Sequence, residues 1–271
     1  MVDRVWVNGV ESDGRVAVTD SSVLRGDGCF EVLRSYDGSA FAVAEHLDRL
    51  EMSASKLEIA LPSRSDIAAW VESAAQVEPN GAVRVVVTRG SSIPGEQTPP
   101  LVVVFAHGWD RGGERLSLGP VSAPWHSAGA DWELSGAKVL SYAPNLAATR
   151  SARHSGFDEA LLVTPHDVIL EGPTFSVAWV RDGVLETPSL DLGILDSITR
   201  RHVLDLAVSA GIEIREGEFA LDRLGSADEV MALSTIREVQ PVSSVGKFRF
   251  TQTEVTSRLS EAFVQLVASA G

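Results

Sequence analysis

Lys138 and Glu171 are the residues of this chain whose types and spacing could carry chemistry. Lys138 is one of three lysines, with Lys56 and Lys247, against 20 arginines. It sits among Ala137, Val139 and Leu140, at what the sequence predicts to be the end of a strand. A lysine is ordinarily a solvated surface charge. A desolvated one has a lowered pKa and becomes an amine nucleophile able to form a Schiff base. Glu171 follows 33 residues later on a predicted strand. An acidic group of this kind can hold a ring nitrogen in its charged, electron-withdrawing form.

The elements that must position this pair can be followed in chain order. Residues 4–7 alternate up to Asn8-Gly9, a type I′ hairpin signal, and residues 15–18 are the expected returning strand. Residues 21–28, SSVLRGDG, read as a glycine-punctuated bend. A strand over 29–36 follows, closed by Asp37-Gly38 and answered by residues 40–43. Leu47, Leu50, Ala54 and Leu57 recur at helical spacing and predict an amphipathic helix over 44–59 that carries His46 and Arg49. A second helix is expected over 64–77, capped by Ser63 or Ser65. β-branched strands over 82–88 and 101–106 complete a small N-terminal α+β domain, residues 1–107.

A glycine-rich, charged stretch without periodicity, residues 108–115, is the expected linker, and residues 116–271 form the larger second domain. There the sequence predicts strands near 116–123 and 138–140, a helix over 144–155, and strands over 159–163 and 168–170. A hairpin over 176–185, a helix over 197–210, a strand over 229–233 and a terminal helix over 253–269 follow. Strands alternating with crossover helices suit an α/β or closed pseudo-barrel arrangement.

Composition narrows the function. Hydrophobic residues at 44% and charged residues at 22% are ordinary for a globular protein. A net charge of −14 argues against nucleic acid and anionic membranes as partners, since both call for basic patches. Cys29 is the single cysteine, so no intramolecular disulfide forms and a cytoplasmic setting is expected; it reads as a small buried hydrophobe. The first residues lack the apolar core of a signal peptide, and the longest apolar runs, such as LVVVFA at 101–106, are strand-sized. The histidines are scattered and no metal site is expected; Walker and Rossmann fingerprints are absent.

Six pieces occur in one order: Gly26-Asp27-Gly28, His46-x-x-Arg49-Leu50, Lys138, Glu171-Gly172, Ile198-Thr199-Arg200, and Ser234-Thr235-x-x-Glu238-Val239-x-Pro241-Val242. In order and spacing they resemble the class IV (fold type IV) pyridoxal-phosphate-dependent aminotransferases, the family of branched-chain and D-amino-acid transaminases and of aminodeoxychorismate lyase. The likeness runs along essentially the whole chain. It implies an α/β (α+β) fold of two domains, the larger a C-terminal pseudo-barrel. It also implies pyridoxal 5′-phosphate as cofactor and a homodimer with its site at the subunit interface. By this resemblance Lys138 forms the Schiff base and shuttles the proton, Glu171 pairs with the pyridine nitrogen, and Tyr142 lies near the phenolate oxygen. Arg49, Ile198, Thr199, Thr235 and Ile236 are implied to hold the phosphate, the helix start through backbone N–H groups and its dipole.

Within the family, FEVLRSYDG and AEHLDRL are similar to the D-amino-acid transaminases. The R-x-H carboxylate trap usual there is replaced by SSIPGEQTPP, so Arg25, Arg34 and Arg89 are the candidates for the substrate carboxylate. Lyases typically carry threonine where Val32 stands, and valine cannot pass a proton to an eliminated product. The Glu171-Gly172-Pro173 run is nevertheless similar to some lyases. The sequence thus predicts a transaminase moving an amino group from a D-amino acid to an α-keto acid such as 2-oxoglutarate. The alternatives are aminodeoxychorismate lyase, making 4-aminobenzoate and pyruvate, and then branched-chain L-amino-acid or (R)-amine transamination. Borohydride reduction of the cofactor-loaded protein is expected to leave a pyridoxyl group on Lys138 in peptide mapping; a label on Lys56 or Lys247 would refute the assignment.

Overall fold

The computed structural model describes residues 4–110 and 112–270. Residues 1–3, where the expected leader-free start begins, residue 111 of the expected linker, and residue 271 lie outside the described residues. The chain divides into two compact units: Met1–Asp110 with Ala137–Tyr142 and Ala270–Gly271, and Arg111–Gly136 with Ala143–Ser269. The first break falls within the stretch read as a linker. The departure is Ala137–Tyr142, expected in the second domain but packed into the first unit.

In the first unit the elements are β1 (Val5–Val7), β2 (Val10–Ser12), α1 (Ser21–Arg25), β3 (Gly28–Tyr36) and β4 (Ser39–Ala40). They continue with α2 (Val43–Lys56), α3 (Arg64–Val77), β5 (Ala82–Thr88) and β6 (Leu101–His107). The six strands pair antiparallel in the order β2-β1-β6-β5-β3-β4. Asn8 and Gly9 take φ of 47° and 79°, as a type I′ turn requires. A two-residue turn returns the chain at once, so the partner strand is β2 and not residues 15–18. The expected bend at 21–28 is instead a short helix. Asp20 caps it by accepting from the Ser22 N–H at 2.8 Å, and left-handed Gly26 closes it. β4 is only two residues long because Ala42 turns left-handed, φ 56°, and starts α2.

Period-2 alternation on β3 decides what each face holds. Cys29, Glu31, Leu33 and Ser35 are buried beneath α2 and α3, with Leu47, Leu50, Ile67, Val71 and Val85 completing that core. Phe30, Val32, Arg34 and Tyr36 are half-buried on the opposite face. Along the free edge of β3, the Phe30 N–H donates to Lys138 O (3.0 Å) and the Leu140 N–H to Gly28 O (2.8 Å). Residues 138–140 therefore form one isolated bridge, Cys29 with Val139, in place of the expected strand of the second domain.

The second unit begins with β7 (Leu116–Ser122), α4 (Ala143–His154), β8 (Glu159–Val163), β9 (Ser176–Arg181) and β10 (Val184–Pro188). It goes on through α5 (Ile198–Ser209), β11 (Glu213–Gly217), β12 (Glu229–Ser234), β13 (Glu238–Val245), β14 (Phe248–Arg249) and α6 (Glu254–Ala270). The sheet runs β11-β10-β9-β12-β13-β7-β8, with β14 on β13; β10–β11, β13–β7 and β7–β8 are parallel. Its main core gathers Leu118, Leu161, Phe175, Trp179, Val230 and Val242, while α4 packs Ala148 and Ala152 on Ala160 and Leu162. Residues 168–170 make only isolated bridges, to Val163 and Ala220. β11 and β13 had no sequence expectation: Glu213, Arg215 and Glu216 make β11 polar, and Pro241 interrupts β13.

Cys29 is fully buried, and burial first, with Glu31 second, pushes its thiol up to about 12. Native protein at pH 8 is expected to resist alkylation by iodoacetamide and to react at one thiol once unfolded; rapid native labelling, read by mass spectrometry, would contradict this packing.

Candidate active site

In the first unit a buried ionic cluster lies beneath Lys138. The Glu31 carboxylate is fully buried on the α2 side of β3. Arg49 grips it through Nε (2.7 Å) and Nη2 (2.8 Å), and His46 Nδ1 lies 2.8 Å from its other oxygen. Burial alone would raise the Glu31 pKa, but the charge and hydrogen bonds of Arg49, with those of His46, outweigh it and hold the group at about 2. A carboxylate that stays ionised is an acceptor, so His46 donates from Nδ1. Burial, with the charges of Arg49 and Lys138, keeps that imidazole below its ordinary pKa against the pull of Glu31. His46, Arg49 and Ser53 share the buried stripe of α2, three and four residues apart. Ser53 Oγ accepts the Lys138 backbone N–H at 3.1 Å, so the same helix face fixes the main chain of the lysine.

The Lys138 side chain goes to the other face of β3. Its Nζ lies 4.5 Å from the Phe30 ring centroid, and Tyr142 meets that ring edge-on at 5.5 Å. Val32 follows Phe30 on this face, and Arg84 of β5 pairs directly with Val32. Arg84 donates from Nε to His107 Nε2 (2.9 Å), and His107 Nδ1 in turn reaches Gly108 O (2.6 Å). Burial lowers the Arg84 pKa and Tyr142 opposes that shift. Among the described residues no carboxylate pairs with Arg84.

The three arginines expected to take a substrate carboxylate are differently placed. Arg25 is exposed at the end of α1. Arg34 Cζ lies over the Trp109 ring (3.7 Å to its centroid) and near the Tyr36 ring (4.7 Å). Arg89 is held by Asp27, at 2.5 and 3.1 Å, and by Leu57 O. Arg84 and Glu31 escaped the sequence reading. The signal for both was strand alternation: a polar residue inside an apolar run on each face of the sheet.

In the second unit, Glu171 accepts the Leu195 N–H on both oxygens at 3.3 Å, with His126 Nε2 at 3.7 Å. The Leu162 N–H to Glu171 O bond (2.8 Å) fixes its backbone. At Gly172 a Cβ would run into the Phe175 ring, so only glycine permits this turn. Ser197 caps α5 by accepting the Arg200 N–H at 3.3 Å. Ile198 and Thr199 thus occupy the first helical turn, whose N–H groups have no acceptor within the helix. Thr235 and Ile236 lie in the three-residue turn between β12 and β13. There Ser234 Oγ accepts the Arg237 N–H (3.1 Å), and Glu238 takes a left-handed φ of 55°.

In the first unit an amine lies over an aromatic ring; in the second a carboxylate accepts a backbone N–H and a helix start is capped by serine. The fold is that of the pyridoxal-phosphate-dependent aminotransferases of fold type IV. The family model "Amino-transferase class IV" matches residues 28–245, and the chain belongs to that family. It is 31% identical to a putative branched-chain-amino-acid aminotransferase of Methanocaldococcus jannaschii, over 96% of this chain and 95% of that one. It is 29% identical to a D-alanine aminotransferase of Staphylococcus epidermidis, over 98% of both. The solved branched-chain amino acid aminotransferase of Escherichia coli superposes with a TM-score of 0.88 at 26% identity, covering 98% of this chain and 95% of that one. Among the described residues no group of acids, histidines or cysteines could hold a metal, and no helix is long and apolar enough to cross a membrane.

The Glu31 cluster makes stability acid-sensitive. A carboxyl whose pKa is lowered on folding stabilises the fold above its unfolded value and loses that contribution as pH falls from about 4.5 toward about 2. Wild-type unfolding midpoints are expected to fall across this window and the Glu31→Gln midpoints to fall less steeply. At pH 7 the variant should be destabilised by about 3 kcal/mol through the broken buried pair. Parallel urea midpoints in the two proteins from pH 7 to pH 3 would refute the assignment.

Proposed function

We propose that this class IV aminotransferase moves the amino group of a D-amino acid, such as D-alanine, to an α-keto acid such as 2-oxoglutarate. The observation that carries aminotransfer over elimination is the face shared by Lys138, Phe30, Val32 and Tyr142. It offers one amine as proton carrier, and at the strand position where a lyase would use a hydroxyl it presents valine. Likeness over nearly the full length to D-alanine aminotransferases supports the D-preference.

Pyridoxal 5′-phosphate, when bound, supplies the electron sink that makes the substrate Cα–H bond labile. Lys138 Nζ would hold the cofactor through its aldehyde carbon and, once freed by the substrate amine, would carry the Cα proton from the substrate to the cofactor. Glu171, oriented by the Leu195 N–H, would hold the pyridine nitrogen in its protonated form. The first turn of α5 at Ile198 and Thr199 and the turn at Thr235 and Ile236 would take the phosphate oxygens, and Arg49, its Nε and Nη2 fixed by Glu31, would lend its positive charge. Tyr142 would hydrogen-bond the phenolic oxygen. Arg84 is the strongest candidate for the substrate carboxylate: it is half-buried on the Lys138 face, while Arg89 is committed to Asp27 and Arg34 to two aromatic rings. The chain would act as a cytoplasmic homodimer with its site at the subunit interface, the arrangement that the family resemblance implies.

A branched-chain reading has its own support, in the relative from Methanocaldococcus jannaschii and in the apolar side chains of Phe30, Val32 and Val86 on the lysine face. Single-turnover spectra separate the two. D-Alanine alone should convert bound cofactor to its amino form at least about 10-fold faster than L-leucine does, and Arg84→Gln should raise KM for the amino donor about 10- to 100-fold. Faster conversion by L-leucine would favour the branched-chain reading, and release of 4-aminobenzoate from aminodeoxychorismate the lyase.

A further inference from the structure

A cavity of about 350 Å³ in the second unit uses none of the groups assigned to the cofactor. Its lining includes Gly113, Arg115, Arg153, Phe157, Asp158 and Arg237, three guanidinium groups in a chain of net charge −14. Arg115 donates from Nη2 to Phe250 O at 2.6 Å, a neutral acceptor, and its Nε is buried without a hydrogen-bond partner. A buried donor left without an acceptor is uncommon, and it leaves this guanidinium under-satisfied by the protein. Arg153 donates from Nε to the Asp158 carbonyl (3.1 Å), and its Nη2 is 3.8 Å from Glu159. Asp158 is the one carboxylate of the lining. It is engaged on Oδ2 by the Ser117 N–H and hydroxyl, both at 2.7 Å. Arg237 reaches Gln240 Oε1 (2.9 Å), and Gln240 Nε2 ties back to Gly113 O (2.5 Å).

We propose that this cavity binds a small dianion of phosphate size, gripped by the guanidinium forks of Arg115 and Arg153 with Arg237 adding a third positive charge. Planar guanidinium forks suit the tetrahedral oxygens of phosphate, and the three guanidinium charges outnumber the one carboxylate that lines the cavity. The site is separate from the cofactor's own phosphate contacts, yet Arg237 directly follows Thr235 and Ile236, and its N–H is anchored on Ser234 Oγ. An anion held here would brace that turn.

The experiment uses the holoprotein with its cofactor fixed by borohydride, so that the cofactor's phosphate contacts are already filled. Inorganic phosphate is titrated calorimetrically, with 2-oxoglutarate as a dicarboxylate arm. One phosphate per chain is expected, with a rise in Tm of about 3 °C at saturating phosphate. Binding should weaken at least about 10-fold in Arg115→Gln and in Arg153→Gln. Arg153 is an exposed residue, so its variant tests the site without disturbing the fold. Absence of phosphate binding to the wild type, or binding as tight as the wild type's in either variant, overturns the proposal. Binding of 2-oxoglutarate with none of phosphate overturns the phosphate-sized assignment. A cofactor that fails to fix bears on Lys138 alone, because comparing wild type with Arg153→Gln still reads the cavity.

Discussion

The arrangement of the first unit depends on one buried carboxylate. Glu31 occupies a core position on β3, where an unpaired charge would cost several kcal/mol. Its ionisation is tolerable only because Arg49 and His46 close on it from α2. That requirement sets the rotation and register of α2 against the sheet. Once set, the same helix face brings Ser53 to the Lys138 main chain and leaves Leu47 and Leu50 in the apolar core. The placing of the amine is thus inherited from an ion pair on the other side of the sheet.

The second unit solves the same problem with the same residue type. Glu186 is fully buried between Arg215, Arg223 and the Trp179 indole N–H. Buried Arg200 reaches Thr187 Oγ1, Pro188 O and Glu216. Arginine suits these places because its charge survives desolvation and its fork meets two acceptors at once. Lysine, whose charge is more easily displaced by burial, is left to three positions in the chain. One of them, Lys138, sets its amine over the Phe30 ring.

How much was legible followed from how local each determinant is. The two longer helices of the first unit, α2 and α3, were readable because apolar spacing and the Ser63 cap act within one or two turns. The order of the family's motifs made the class IV assignment readable as well. The strand pairing of residues 138–140 was not readable, because its partner lies more than 100 residues earlier and supplies two main-chain hydrogen bonds without a side-chain pattern. Glu31 carries no local sign of its burial within the strand over 29–36; its partners, 15 and 18 residues away on α2, reveal it as a core residue. The first hairpin shows a third kind of limit. Asn8-Gly9 announced its turn, but the length of the turn, rather than the composition of what followed, selected the returning strand.

The excursion of residues 137–142 back to the edge of β3 also orders events during synthesis. A ribosome that has released the first 110 residues has delivered every helix and strand of that unit, but Gly28 and Phe30 still present a bare carbonyl and N–H at a sheet edge. Such an edge invites pairing with another chain until it is covered. It is covered only about 30 residues later, by the segment bearing the lysine. The nascent protein therefore seals this strand edge and sets the main chain of Lys138 in a single step.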